Sequence, residues 1–209
     1  MTAAVAVDAA CDDWRVDTDA ARHPERFTGL IEHLERHAGA CAGAEPPTVH
    51  GGNRGYALAF YALPENGPVT VISNGLRFQA VSTSLEQELA CTLHADQAEA
   101  ARHLVDTVCG LVIERGQGVD EDVMLDNGNP LLAGTDIHGV IAGPHPFFPE
   151  DFDLFHDESD TVALRVVTLV PATAADLAFA NEFGVERLRE RWAEEGTDVL
   201  DVERGTDTT

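Results

Sequence analysis

The chain has 209 residues, 44% of them hydrophobic, which suits one compact domain around a single core. Thirteen basic residues, all arginine, stand against 37 acidic ones for a formal charge of −24, a field that repels phosphate and argues against nucleic-acid binding. No apolar run approaches the roughly 20 residues of a membrane helix, and the apolar start lacks the basic stretch of a secretory signal, so a cytoplasmic protein with no membrane partner is expected.

Residues 1–20, rich in Ala and Asp, read as a weakly ordered segment before a domain over 21–198. Pro24 opens a helical pattern with Phe27, Leu30, Ile31, Leu34 and Ala38 on one face, closed by Gly39. Gly39 to Pro47 reads as a loop. Tyr56 to Leu63, the turn Pro64-Glu65-Asn66-Gly67 and Val69 to Ile72 then form a β-hairpin. Asn74-Gly75 marks a turn into a strand-like run from Leu76 to Val81. Between Leu85 and Leu93 alternation puts Leu85, Leu89, Cys91 and Leu93 on one side, with Glu86, Glu88 and Thr92 facing solvent.

Asp96 to Glu99 resembles a capping box ahead of a helix whose apolar stripe is Ala101, Leu104, Val105, Val108, Leu111 and Val112, ending near Gly116 and Gly118. A turn-rich loop, Asp126 to Pro130, precedes a strand from Ile137 to Ala142, and a loop with three prolines follows from Gly143 to Pro149. Thr161 to Val170 is the most β-rich stretch, read as a central strand stopping at Pro171. Thr173 and Asp176 cap a helix running to Gly184, and a further helix covers Val185 to Glu195. Residues 199–209 read as an acidic disordered tail. Central strands with helices at both ends and one between give an α/β (α+β) fold, a single domain with a central mixed β-sheet covered by helices.

The constellations that carry chemistry elsewhere are incomplete in this sequence. His33 and His37 are four apart on a helix, yet no third metal ligand is implied, so exposed helix histidines are expected. The Gly-rich stretch His50 to Gly55 lacks both the phosphate-loop ending and the dinucleotide spacing. Ser73, Ser82 and Ser84 sit in no nucleophile elbow. Cys11, Cys41, Cys91 and Cys109 form no Cys-x-x-Cys pair and read as structural thiols. No cofactor, metal or catalytic residue is therefore expected. The stretch from His145 to His156 holds Phe147, Phe148, Phe152 and Phe155, four of nine phenylalanines. Buried, they anchor a loop; exposed, they make an interaction patch.

Three segments resemble the Suppressor of fused domain family. They are Val69-Thr-Val-Ile-Ser-Asn-Gly75; Leu125-Asp-Asn-Gly-Asn-Pro130 with Gly139-Val-Ile141 and Phe147-Phe-Pro-Glu-Asp-Phe152; and Val166-Val-Thr-Leu-Val-Pro171 with Asp176 to Ala180 and Phe183 to Leu188. The resemblance covers residues 25–205 and is strongest from 125 onward. It implies a mixed α/β fold and a protein-binding role, and some bacterial members of the family look like immunity proteins that neutralise toxins.

Two functions from different classes are compatible with these residues. One is a non-enzymatic protein-binding domain of immunity type with a basic partner, contacting it through Phe147, Phe148, Phe152, Asp126 and Asn127. Its acidic surface has two readings, simple solubility or attraction of that partner, and the complete absence of lysine speaks of the host rather than the function. The other is a small-molecule enzyme or binder with a site assembled from dispersed residues such as His50, His138 and Asp126.

Overall fold

A computed structural model describes residues 24–49 and 52–205; the expected N-terminal segment 1–20, Cys11 and His50 lie outside the described residues. Ten strands and four α-helices follow in chain order: α1 (Leu30–Ala38), β1 (Ala40–Glu45), β2 (Thr48–Val49), β3 (Gly52–Asn53), β4 (Ala57–Ala62), β5 (Val69–Asn74), β6 (Gln87–Leu93), α2 (Ala98–Arg115), β7 (Met124–Asp126), β8 (Ile137–Gly143), β9 (Leu154–His156), β10 (Val162–Thr173), α3 (Ala174–Phe183) and α4 (Val185–Glu195). The main sheet runs β1-β4-β5-β6-β10-β8-β7, with β9 beside the start of β10 and β2–β3 a separate ribbon. β6 and β10 pair in parallel and all other ladders are antiparallel, so the sheet is mixed as expected.

Alternation along the strands loads both faces with apolar side chains. Leu58, Val71, Leu89, Val140, Val167 and Leu169 pack under α2, whose Leu104, Val105, Val108 and Val112 supply the expected stripe. Ala59, Tyr61, Ile72, Ala90 and Val166 point the other way, against α1 and the loop carrying Phe152 and Phe155. Ile141, Val170 and Ala172 on that same face meet Leu177, Leu188 and Trp192 of α3 and α4. At ~25 cal/mol per Å² of apolar surface removed from water, these two coats of helix are what hold the layers together.

Covering both faces corrects several expectations. Glu88 is not at a solvent face; it is 1% exposed, because the polar side of β6 lies beneath the Phe152 loop and the 74–78 turn. Leu76 to Val81 is a 3₁₀ turn over Leu76–Phe78 instead of a strand, since Gly75 has φ +119° and turns the chain back onto the Glu88 carboxylate. Gly39 to Pro47 contains the edge strand β1, paired to β4 through a bulge between Cys41 and Gly43; one ladder suffices where small side chains give no pattern. Ile31 is exposed, not part of the apolar face of α1.

The ends of elements differ as well. Asp96 makes no cap; α2 follows a 3₁₀ turn over Ala95–Gln97, and Gln97 instead bonds Asp201 and the Val202 backbone. β10 continues through Pro171 to Thr173. The Pro171 carbonyl accepts from Arg204 on the side away from β8, so its nitrogen also faces that side, where the β6 ladder has ended at Thr168 and no N–H is needed. The Thr173–Asp176 capping box forms as read. The tail expected to be disordered from 199 is ordered through Gly205: Val199 and Val202 are buried, and His94 N–H donates to the Leu200 carbonyl.

Candidate functional site

Three places concentrate polar groups or open apolar surface. The first is internal. Glu88 accepts from Ser73 Oγ at 2.5 Å, Gly75 N at 2.8 Å, Leu76 N at 3.2 Å and Arg77 Nη1 at 2.5 Å. Burial raises its carboxyl above the usual carboxylate range, against the opposing pull of the Arg77 charge and the Ser73 hydrogen bond. Ser73 also accepts from Leu89 N, which ties the serine into a buried strand-to-turn clamp with its hydroxyl proton committed to Glu88.

The second place is the loop after β8. His145 is buried beneath it, and its Nδ1 accepts from both Phe147 N (3.1 Å) and Phe148 N (2.9 Å). That assigns the proton to Nε2, which donates to Thr92 Oγ1 at 2.9 Å. Burial lowers the His145 pKa to about 3, so the ring stays neutral and remains an acceptor. Phe148 stacks on the imidazole with centroids 3.8 Å apart, and Phe152 meets both rings edge-on. Phe152 is fully buried and Phe148 half-buried, whereas Phe147 is 60% exposed. Of the three expected contact phenylalanines, two belong to the loop's own support and one faces outward.

His33 and His37 are likewise not the exposed pair expected. The Phe152 loop covers them: their rings lie 5.3 Å apart, and His33 Nε2 meets the Phe152 carbonyl at 3.2 Å. Burial lowers the His33 pKa.

The third place is a groove of about 410 Å³ between α2 and the sheet edge, lined by Val108, Leu111, Leu125, Leu131 and Val140 and bounded by Asp126 and Asn127. Asp126 Oδ1 accepts from Gly128 N at 2.7 Å, shaping the turn at the groove's rim. β7 is the last strand of the sheet among the described residues, and none of them forms a strand on its outer edge. Asp126 registers with Gly139 of β8, and Phe147 follows Gly143, so these two expected contacts stand at opposite ends of the β7–β8 pair, roughly 13 Å apart along the strand. Of the residues expected for a dispersed catalytic site, His50 lies outside the described residues, His138 faces Asp136 at 3.5 Å and Asp126 accepts from Gly128. Among the described residues no group of His, Cys, Asp and Glu is placed to hold a metal, and no helix is long and apolar enough to cross a membrane.

The family model described as Suppressor of fused protein (SUFU) matches residues 55–205. The chain belongs to the Suppressor of fused family. A Suppressor of fused homolog from Neisseria gonorrhoeae FA 1090 has the same fold, with TM-score 0.62 and 15% identity over 89% of this chain and 95% of that one. A chain of the Sufu–Fu complex crystal structure superposes with TM-score 0.60 and 12% identity over 80% of this chain and 83% of that one. No curated protein matches. In this Suppressor of fused domain the family segments land on the features just described: Val69 to Gly75 is β5 with its Gly75 turn, and Leu125 to Pro130 leaves β7 along the groove. Trp192, read from the sequence with Val185 and Leu188 as an apolar residue of its helix, stands beside Phe147 together with Arg189, which the sequence does not mark.

Proposed function

We propose that this Suppressor of fused domain is a non-enzymatic protein-binding module that captures a basic segment of a partner in extended form along β7, as an immunity-type protein in the cytoplasm does. The observation that carries this reading is the open β7 edge above an apolar groove with an acidic border. Asp120 precedes the strand, Asp126 ends it and Glu114 stands across the groove, against Arg115 in the lining, while Glu121 and Asp122 already pair with Arg165 and Arg189. An added strand gains backbone hydrogen bonds from such an edge, and the groove supplies pockets for alternate side chains. The acidic border complements Lys or Arg in the partner.

The opposite edge, β1, also lacks an outer neighbour, but its Ala, Cys and Gly side chains offer no groove to read a sequence. The structural neighbour solved as the Sufu–Fu complex supports a binding role, and three free thiols, one of them the exposed Cys41, fit a reducing compartment.

The test is capture of partner from native lysate at low and moderate salt by wild type and by Leu111→Glu, which places a charge in the groove without touching a fully buried residue. One basic protein held by wild type, weakened by salt and lost with the variant supports the reading. Equal recovery by both proteins overturns the groove as the contact.

A further inference from the structure

The fold leaves a second opening on the other face of the sheet. It is a cavity of about 260 Å³ between α4 and the loop after β8, walled by Pro144, Pro146, Phe147, Val170, Trp192 and Val199. Its size lies below the roughly 300–1,000 Å³ of pockets that hold cofactors and drug-sized ligands, which leaves room for one or two side chains. The walls are rigid. Trp192 is buried with its indole N–H committed to Asp176 Oδ1 at 3.0 Å, so only ring surface faces the cavity. Phe147 stands exposed on a backbone fixed by two prolines and by the hydrogen bonds to His145. An aromatic side chain on a backbone already tied down brings large apolar area with only two side-chain torsions to fix, the property of an interface anchor.

Charge sets the chemistry of the occupant. Arg189 lines the mouth, but its Nη1 is 2.6 Å from Asp122 and 3.5 Å from Glu186, both well exposed, so the rim carries a net negative charge. The tip of the same guanidinium reaches Gly143, where a Cβ would meet its Nη2. An anionic ligand meets two carboxylates for one arginine, and a free apolar molecule makes no use of them.

We infer that this cavity is a second docking pocket, taking one apolar side chain from a partner segment whose neighbouring residues are Lys or Arg. The inference rests on the protein-binding reading but shares no lining residue with the groove, only Asp122 between the two surfaces, so the two can fail separately.

The experiment is an amide and indole NMR titration of the full chain with the peptide Ac-Arg-Arg-Leu-Arg-Arg-amide and with the same peptide carrying Ser for Leu. Saturable shifts of the Trp192 indole and the Phe147 and Thr197 amides are expected, with affinity roughly tenfold lower for the Ser peptide and for Phe147→Ala. The Leu111→Glu variant leaves these shifts intact. Shifts insensitive to the Leu, or spread evenly over acidic residues, overturn the pocket. Shifts confined to Leu125 and Leu131 also overturn it while leaving the groove reading standing.

Discussion

Arg189 reaches from α4 over Gly143 to place its Nη1 2.6 Å from the Asp122 carboxylate, tying the helix that walls the Phe147 cavity to the residue that leads into β7. One ion pair thus spans the two candidate contact surfaces at the end of the β7–β8 hairpin. Both side chains are partly solvated, so the pair adds little to stability. Arg189→Ala is expected to lower the unfolding free energy by no more than about 1 kcal/mol in urea titration. Gly143→Val is expected to cost no more than that, because its Cβ meets only the tip of the flexible Arg189 side chain, which can swing aside.

The clamp around Glu88 behaves differently. Its partner Arg77 is largely buried, so Glu88→Leu leaves a guanidinium without its counter-charge and three turn N–H groups without an acceptor. A loss of about 3–5 kcal/mol is expected in denaturant titration. Replacing Glu88 and Arg77 together with apolar residues should recover part of that loss, and a double mutant no better than Glu88→Leu alone counts against the charge account.

Histidine burial sets the pH dependence. His145 has a folded pKa lowered to about 3, and that of His33 is also lowered, so below the ordinary value of 6.5 the unfolded chain binds protons that the folded chain does not. Their contribution is therefore full above pH ~6.5 and falls as pH drops toward 3, with His145 supplying at most about 5 kcal/mol. Asp153, raised by burial to about 6, and Glu88, also raised, work in the opposite sense and offset most of that loss between about pH 4 and 6. Melting curves should show a midpoint that changes little from pH 7 to 5 and falls from pH 4 to 3, and His145→Leu, though less stable, should show a smaller fall.

The C-terminal segment is part of the core. Val199 and Val202 are buried, and Arg204 ties the segment to Asp176 and the Pro171 carbonyl. Ending the chain after Thr197 is expected to cost at least about 3 kcal/mol, since each valine contributes about 1.5 kcal/mol or more. A midpoint unchanged by the truncation would show that the segment is only laid on the surface.

The parts of this fold written in the sequence are those whose periodicity matches a single environment. The stripe of α2, the β4–β5 hairpin, the start and body of β10 and the Thr173 cap appear where the residues place them, though β10 runs on past Pro171. Glu88 and Thr92 misled because alternation distinguishes two faces without saying what covers them; here one face meets α2 and the other meets α1 and the Phe152 loop. β1 was invisible because Ala and Gly carry no pattern, and Val199 and Val202 because two valines in an acidic tail do not mark a contact made about 100 residues away with Gln97. At the site, the phenylalanine cluster was legible as a cluster, but the division of labour within it was not. It depends on His145 bonding the backbone of Phe147 and Phe148, which leaves Phe147 alone at the surface.

The most direct test of partner capture along β7 is amide hydrogen exchange of the full chain, free and saturated with the protein recovered by capture. Slowed exchange at residues 123–127, with little change at β1, is the predicted result, because an added strand ties up the outer backbone groups of β7. Unchanged exchange at 123–127 alongside protection elsewhere contradicts it and moves the contact to another face.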